Sequence, residues 1–398
     1  MLKPLWRRLA PGLAARLAPR VLAAVRAEVE DATASIQEEL TRLRLRVDSL
    51  DAMPKVSTDL PGRREPMLSL PSSLALLELQ RECGPAVTLV RSEPPGAYEA
   101  GLMAGSSWGT EDVLWLLRML LAEGGSLLDV GANIGAISLP IAADGHPVVA
   151  VEMLPANALK LHLACLANGA TNLRVVQAAA SAEDGVLHYG GTEAWGAVGT
   201  GSSVAAAMRL DTIMEMVRLS MPDFMAEPLV VKLDVEGHEM EALRGAAGLI
   251  EGCRPAIVFE SIEAADAGGS QVSKQCKRHL AALGYDLFLQ RGRVLVPRGA
   301  GDLQEGAVAD FLALPPHRRH VLDGAEVRAL SPAERVAWLA EDALQQEAGH
   351  RLGACAAIEA IRQEGASYVT ATDPLLEMLE SDADECVAAR ARAARACG

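Results

Sequence analysis

The sequence predicts an α/β protein with a mostly parallel β-sheet, flanked at both ends of the chain by helical segments. Five short apolar runs are spread over the middle of the chain, and helical segments separate most of them. Continuous apolar runs are typical of strands covered on both faces, and their alternation with helices is typical of α/β folds. The predicted strands are Ser126–Val130, Val148–Glu152, Leu173–Gln177, Leu229–Asp234 and Ala256–Ser261.

The first part of the chain, residues 1–52, is predicted to form one long helix. Neither Gly nor Pro occurs between Arg20 and Ser49, and nine apolar residues from Leu22 to Leu50 follow one another at spacings of three or four. That heptad-like stripe predicts a coiled coil through which copies of the chain form a homo-oligomer. The alternative is a helix that lies along its own folded domain.

Residues 53–97 are predicted to be a proline-rich linker, because they contain seven prolines and show little periodicity. Folding is expected to resume near Tyr98. A helix over Glu111–Ala122 then leads to the first strand. The main domain is therefore predicted to span residues 98–300.

Two further strand predictions concern the edges of the sheet. Leu287–Gln290 and Arg293–Val296 flank Arg291-Gly292 and are predicted to form a β-hairpin. Val186–Tyr189 is predicted to add a short edge strand.

Residues 301–398 are predicted to be a helical C-terminal region. Ser331 and Glu334 have the spacing of a capping box, so a helix is expected to begin between them. Asp373-Pro374 is expected to open another helix.

A glycine turn follows the first predicted strand. Asp129 ends the apolar run, and Gly131 and Gly135 bracket a turn that contains Asn133. Glycine lets a ligand approach the backbone closely, so a strand, turn and helix of this kind make a floor for a nucleotide. The spacing lacks the middle glycine of the dinucleotide fingerprint, and the acid before the turn suits an ammonium group. S-adenosylmethionine is therefore favoured over NAD.

The end of the second strand supports an adenosyl cofactor. Glu152 stands where an acid accepts hydrogen bonds from ribose hydroxyls in nucleotide-binding α/β sheets. Met153, which follows it, and Ala178, after the third strand, complete the predicted cofactor-binding set.

Several motifs together resemble one family. The segment Val230–Glu239 reads Val-Val-Lys-Leu-Asp-Val-Glu-Gly-His-Glu, which resembles the Lys-x-Asp-x-Glu-Gly-x-Glu signature of FkbM-type methyltransferases. Arg209–Ile213 and Arg254–Glu260 resemble the stretches that flank it. The resemblance covers roughly Glu111–Pro297. It implies a class I methyltransferase, Rossmann-like seven-stranded sheet whose last strand inserts antiparallel, and S-adenosylmethionine-dependent O-methylation of a saccharide or polyketide-like metabolite.

Candidate catalytic residues follow the fourth strand, where the reacting groups of an open α/β sheet gather. His238 is the candidate general base, because imidazole titrates near neutral pH; the alternative is an exposed helix position. Asp234 and Glu236 are the other catalytic candidates. A divalent cation held by these two carboxylates is an alternative that the sequence does not favour over helix capping. His317 and His320 have metal-like spacing but are interpreted as part of a basic loop.

Composition excludes several classes of partner. The net charge of −15 argues against a nucleic-acid backbone as partner. No apolar run reaches the length of a membrane-spanning helix, and the N-terminus lacks the uninterrupted apolar core of a signal peptide. Seven widely spaced cysteines suit reduced thiols. We therefore expect a cytoplasmic enzyme with a small-molecule or glycan acceptor. A non-catalytic methyltransferase-like binding or assembly module is the alternative.

Overall fold

The described part of the chain begins after the predicted N-terminal helix. The computed structural model describes residues 70–396 except 83, 106–108, 192–195, 199–200, 222–223, 225–227, 263–268, 301–307, 345–347 and 364–365. The predicted coiled coil of residues 1–52 and the first part of the predicted linker lie outside the described residues.

The rest of the predicted linker is folded. β1 (Leu74–Leu79) and β2 (Val87–Ser92) form an antiparallel hairpin, and α1 (Ala97–Met103) follows. The backbone N–H of Thr88 in β2 donates to the Asn168 side chain at 2.9 Å, and Asn168 donates back to the Thr88 carbonyl at 2.6 Å. The linker prediction was wrong over this part, because alternating apolar residues between the prolines supply a buried face.

A nine-stranded mixed sheet forms the centre of the molecule, where seven strands were expected. Its order is β15-β13-β12-β14-β11-β10-β3-β4-β5. Strands β3, β4, β5, β10 and β11 are parallel, and each matches a predicted strand to within one residue. They span Ser126–Val130 (β3), Val148–Glu152 (β4), Leu173–Gln177 (β5), Leu229–Leu233 (β10) and Ala256–Ile262 (β11).

The antiparallel strand inserted into this sheet is not part of the predicted hairpin. The hairpin is present as β12 (Asp286–Arg291) and β13 (Val294–Arg298), but β14 (Val308–Leu314) lies antiparallel between β11 and β12. The expectation of helices alone after Gly301 was therefore wrong. The short strand β15 (Glu326–Val327) pairs with β13 at the sheet edge.

A second, four-stranded sheet has the order β6-β9-β7-β8. The predicted edge strand Val186–Tyr189 belongs to this sheet as part of β7, so its assignment to the main sheet was wrong. The four strands are Ala179–Ala180 (β6), Gly185–Gly191 (β7), Gly196–Val198 (β8) and Ser203–Met208 (β9).

Helices cover both faces of the main sheet. Successive strand residues point to opposite faces, so Val130 and Leu128 join one apolar core while Leu127 joins the other. This double burial explains why the parallel strands read as continuous apolar runs. The covering helices are α2 (Thr110–Leu120), α3 (Ser138–Ala143), α4 (Pro155–Asn168), α5 (Leu210–Ser220), α6 (Glu239–Arg244), α7 (Ala247–Cys253) and α8 (Gly269–Ala282).

The C-terminal helices have an apolar core of their own. The predicted capping box is present, because the Ser331 and Glu334 backbone N–H groups each donate to the other residue's side chain. Pro374 lies inside a helix rather than at its start, which contradicts the predicted opening at Asp373. After a 3₁₀ helix over Pro316–Leu322, the helices are α9 (Pro332–Ala343), α10 (Ala348–Arg362), α11 (Ala366–Glu380) and α12 (Glu385–Ala396).

No helix within the described ranges is both long and apolar enough to span a membrane.

Candidate functional site

A cavity of about 220 Å³ opens at the carboxyl ends of the parallel strands. It brings together eight of the ten predicted site residues; Gly135 and Ala178 do not line it. The lining residues used below are Tyr98, Asp129, Gly131, Asn133, Glu152, Met153, Ala179, Ala180, Lys232, Asp234, Glu236, His238, Glu260 and Asp310.

The first glycine of the turn permits two loops to touch. Gly131 has φ +84°, and a Cβ atom there would lie 1.7 Å from the Asp234 carbonyl oxygen. Its backbone N–H donates to the Val151 carbonyl at 2.8 Å. Glycine is therefore required by the neighbouring backbone, whereas the sequence argument explained it by space for a ligand.

The second glycine permits helix packing. A Cβ atom on Gly135 would lie 2.3 Å from a methyl carbon of Leu161 in α4. Gly135 thus allows the turn to pack closely against α4. Ala178 has a similar supporting role, because its N–H donates to the Glu152 carbonyl at 3.1 Å while Ala179 and Ala180 reach the cavity.

Glu152 fixes the turn as well as lining the cavity. Its two carboxylate oxygens accept hydrogen bonds from the backbone N–H groups of Asn133 at 2.8 Å and Leu154 at 2.7 Å. Burial raises the pKa of Glu152 above its usual range, although these two hydrogen bonds oppose the shift. Each carboxylate oxygen has a second lone pair, so the group can still accept a ligand hydroxyl.

Asp129 is fully buried at the base of the cavity. Its Oδ2 atom accepts a hydrogen bond of 2.5 Å from the Ser138 hydroxyl. Its Oδ1 atom accepts no hydrogen bond from any described residue and lies 4.0 Å from Lys232 Nζ. Burial raises the pKa of Asp129, which Lys232 and Ser138 counteract in part. A buried acceptor without a partner is costly, so this atom is suited to a ligand donor.

Lys232 is the single lysine or arginine among the described residues that line the cavity. Its Nζ atom lies 2.8 Å from Asp234 Oδ2. Burial alone would lower the pKa of Lys232, but Asp234, Asp129 and Asp310 together hold it above its usual value. The lysine therefore stays charged and offsets part of the surrounding negative charge.

Glu239, rather than Glu236, holds the loop after β10. Its Oε1 atom accepts hydrogen bonds from the backbone N–H groups of Val235 at 3.2 Å and Gly237 at 3.0 Å. Glu236 has the unusual φ of +54° and lines the cavity. Helix α6 begins at Glu239 without a side-chain hydrogen bond from its N-cap residue His238, so these two bonds hold the preceding loop and do not cap the helix.

His238 is half-buried at the start of α6, which contradicts the alternative of an exposed helix position. Its Nε2 atom lies 3.4 Å from the Ser181 hydroxyl. Burial lowers the pKa of His238 below its usual value, with a smaller opposing effect from Glu241. The imidazole is therefore neutral at pH 7 and can accept a proton.

Two carboxyl groups meet at the far end of the cavity, and the sequence argument missed one of them. Glu260 of β11 is paired in register with Asp310 of β14. Burial raises the pKa of both groups, to about 7 for Asp310, and the Asp234 carboxylate adds to each shift. The apolar run around Asp310 was a strand signal that could have revealed it.

Helix α1 contributes to another side of the cavity. Tyr98 of α1 lines the cavity, and the next residue, Glu99, forms a buried ion pair with Lys160 of α4 at 2.9 Å. The Ser92 and Gly96 backbone N–H groups donate to the same carboxylate at 3.0 Å and 2.8 Å. Tyr98 and Glu99 fall within the predicted main domain, but neither was among the predicted site residues.

Two residues of the family-like flanking motifs are structural. The Asp211 carboxylate accepts hydrogen bonds from the backbone of Gly248 at 3.0 Å and Leu249 at 2.8 Å, at the start of α7. A Cβ atom on Gly245 would lie 2.0 Å from the Ser181 carbonyl oxygen. These residues hold the loops around the cavity without entering it.

The described residues contain no group of three or more His, Cys, Asp or Glu side chains arranged to hold a metal ion. His320 lies outside the cavity, with its Nε2 atom 3.2 Å from a Glu123 carboxylate oxygen.

The fold is that of an α/β protein whose cavity lies beyond the carboxyl ends of the strands, where open α/β sheets bind their ligands. Residues 129–287, about two fifths of the chain, match the family model described as the methyltransferase FkbM domain. The family resemblance stated above is thereby confirmed for this segment. No curated protein sequence matches the chain.

Several solved structures are distantly similar. Methyltransferase FkbM from Methylobacillus flagellatus KT is 16% identical with a TM-score of 0.32, and the match covers 48% of this chain and 43% of that one. The chain therefore spans less than half of that protein's length. An O-methyltransferase from Bacillus cereus, in complex with SAH, is 13% identical with a TM-score of 0.33, over 51% of this chain and 79% of that one.

Proposed function

We propose that the protein is an S-adenosylmethionine-dependent O-methyltransferase that acts on a hydroxyl of a saccharide or polyketide-like metabolite. The observation that carries the cofactor assignment is the buried Oδ1 atom of Asp129, which lines the cavity and accepts no hydrogen bond from the described residues. An ammonium group such as that of the methionine moiety would satisfy it.

Other lining residues suit the rest of the cofactor. Glu152 retains acceptor capacity for ribose hydroxyls, and Asn133 and Met153 lie beside it on the cavity wall. Gly131, Gly135 and Ala178 support these residues through the contacts described above. S-adenosylmethionine supplies an activated methyl group, so the protein must chiefly align the acceptor and exclude water.

The acceptor hydroxyl must lose a proton during transfer, and His238 is the proposed proton acceptor. It is half-buried on the cavity wall, and its lowered pKa keeps it unprotonated at neutral pH. Asp234 and Glu236, on the same wall, are the other candidates. Asp234 is already paired with Lys232 at 2.8 Å, so one of its carboxylate oxygens is engaged by that lysine.

The cofactor and the reaction are tested separately. Calorimetry on the full chain should detect S-adenosylmethionine binding, and Asp129→Asn should weaken it at least tenfold, since a hydrogen bond to a charged group contributes about 1.5–3 kcal/mol. The exposed Asp323→Asn is a matched control. Absence of binding by the unmodified chain would exclude the proposal.

Methyl transfer is then assayed against saccharides, lipid-linked glycans and hydroxylated polyketides. His238→Ala should reduce turnover by about 10²–10⁴-fold while cofactor affinity is retained. Cofactor binding without transfer to any member of the panel would instead favour the binding-module alternative.

A further inference from the structure

Three carboxyl groups form a wall of the cavity at the end away from Glu152. Asp234 follows β10, Glu260 lies on β11, and Asp310 lies on β14; we call them the carboxylate wall. Residues directly opposite on antiparallel strands project to the same face of the sheet, so Glu260 and Asp310 face the cavity together. Three adjacent strands therefore bring three acids to one place.

The charges around this wall leave it negative. Glu236 and Asp129 add carboxyl groups from neighbouring loops and strands, and Asp112 faces Asp310 from α2. Lys232 opposes them from β10 and Arg291 from β12. Six carboxyl groups line the cavity against one lysine among its described lining residues.

A second observation favours a ligand as the source of the positive charge that would balance these carboxyl groups. The Oδ1 atom of Asp129 is buried in the same cavity, accepts no hydrogen bond from a described residue, and lies 4.0 Å from Lys232 Nζ. Lys232 is already engaged by Asp234 at 2.8 Å. Neither the wall nor Asp129 is fully neutralised by protein groups.

We propose that the carboxylate wall makes the cavity selective for the positively charged methyl donor over its neutral thioether product. This inference rests on the proposed function. S-adenosylmethionine and S-adenosylhomocysteine share the adenosine, ammonium and carboxylate groups and differ at the sulfur, which is a cation in the donor alone. Asp129 and Glu152 recognise what the two share, whereas the wall distinguishes them.

Proton linkage gives the preference a definite dependence on pH. Burial and mutual repulsion raise the pKa of Asp310 to about 7 in the free protein. A cation beside the wall stabilises the ionised carboxyls, so donor binding releases protons and strengthens as the pH rises towards 7. The neutral product releases none from this wall, and its affinity changes little over the same range.

The experiment is calorimetry of the full chain with both ligands, in buffers of different ionisation enthalpy. At about pH 8 the donor should bind about ten- to a hundredfold more tightly than the product. Each tenfold fall in the proton affinity of one carboxyl on donor binding corresponds to about tenfold tighter binding of the donor. At about pH 5.5 the two affinities should approach each other. Proton release should accompany donor binding near neutral pH.

Two charge-removing variants assign the preference to the wall. Asp310→Asn and Glu260→Gln should each reduce the ratio of donor to product affinity about tenfold at about pH 8, while product affinity stays within about twofold. Glu251→Gln, at an exposed position on α7, is the control and should leave the ratio unchanged. If a variant fails to fold, the comparison of donor and product affinity in the unmodified chain still tests the charge selection.

The outcomes separate this inference from the function on which it rests. Tight binding of both ligands with equal affinity at about pH 8, and no proton release, overturns the charge selection while leaving the cofactor assignment intact. Binding of neither ligand overturns both. An unchanged ratio in both folded variants overturns the assignment to the wall.

Discussion

At the scale of single residues, Glu152 and Gly131 both line the cavity and contact neighbouring backbone. Glu152 was expected to accept hydrogen bonds from ribose hydroxyls, and in the structure it is 6% exposed and accepts hydrogen bonds from two backbone N–H groups. Gly131 was expected to leave room for a ligand, and it leaves room for the Asp234 carbonyl. Sequence spacing selected two positions that line the cavity. It could not reveal that Glu152 contacts the Asn133 backbone or that Gly131 contacts the Asp234 backbone, because these contacts join separate loops.

Glu152→Ala should therefore destabilise the fold as well as weaken the cofactor site. Two N–H donors, one buried and one partly buried, lose their acceptor. Each unsatisfied group costs about 1–3 kcal/mol, so we expect a loss of about 2–6 kcal/mol in the free energy of unfolding. Urea denaturation measures this quantity. Glu183→Ala, at an exposed position, is the control. Unchanged stability would show that the two hydrogen bonds contribute little.

At the scale of elements, the five parallel strands and the β12–β13 hairpin were predicted, whereas the β1–β2 hairpin and strand β14 were not. Double burial leaves an unbroken apolar run, which can be recognised without knowledge of the neighbours. The hairpin β1–β2 was hidden by prolines that lie between and beside its strands. Strand β14 was missed although all of its residues except Asp310 are apolar, and Asp310 is the residue that lines the cavity.

Helix α1 depends on its attachment to α4. Glu99 and Lys160 are both nearly fully buried, so Lys160→Met leaves a charged carboxylate without its cation and should reduce the free energy of unfolding by about 3 kcal/mol. It should also weaken cofactor binding, because Tyr98 is carried by the same helix. Thermal denaturation and calorimetry measure the two effects. Arg278→Met, at an exposed position on α8, is the control.

The same ion pair has a pH signature. Burial would raise the pKa of Glu99, but hydrogen bonds from Gly96, Lys160 and Ser92 outweigh it and lower the pKa. A carboxyl whose pKa is lower in the folded than in the unfolded protein stabilises the fold at pH values above its unfolded pKa. That contribution is lost as the pH falls through the folded pKa. The stability of the unmodified chain should therefore drop below about pH 4.5 more steeply than that of Glu99→Gln. Parallel curves would contradict this.

At the scale of the whole molecule, the arrangement of the N-terminal helix remains a prediction. Deleting Met1–Ser49 removes the heptad stripe, so the subunit number measured by light scattering should fall while cofactor affinity persists. An unchanged subunit number would favour a helix that packs on its own domain. The C-terminal helices α9–α12 could be anticipated as helical from their composition, but composition carries no information about their purpose.

The position of β14 also determines when the molecule can be completed during synthesis. This strand lies between β11 and β12, yet it follows both in the chain. Until Leu314 has left the ribosome, the facing edges of β11 and β12 offer unpaired backbone groups to any neighbouring chain. A nascent chain that ends near residue 300 thus resembles an open sheet liable to aggregate. We expect shielding by a chaperone to matter most during this interval.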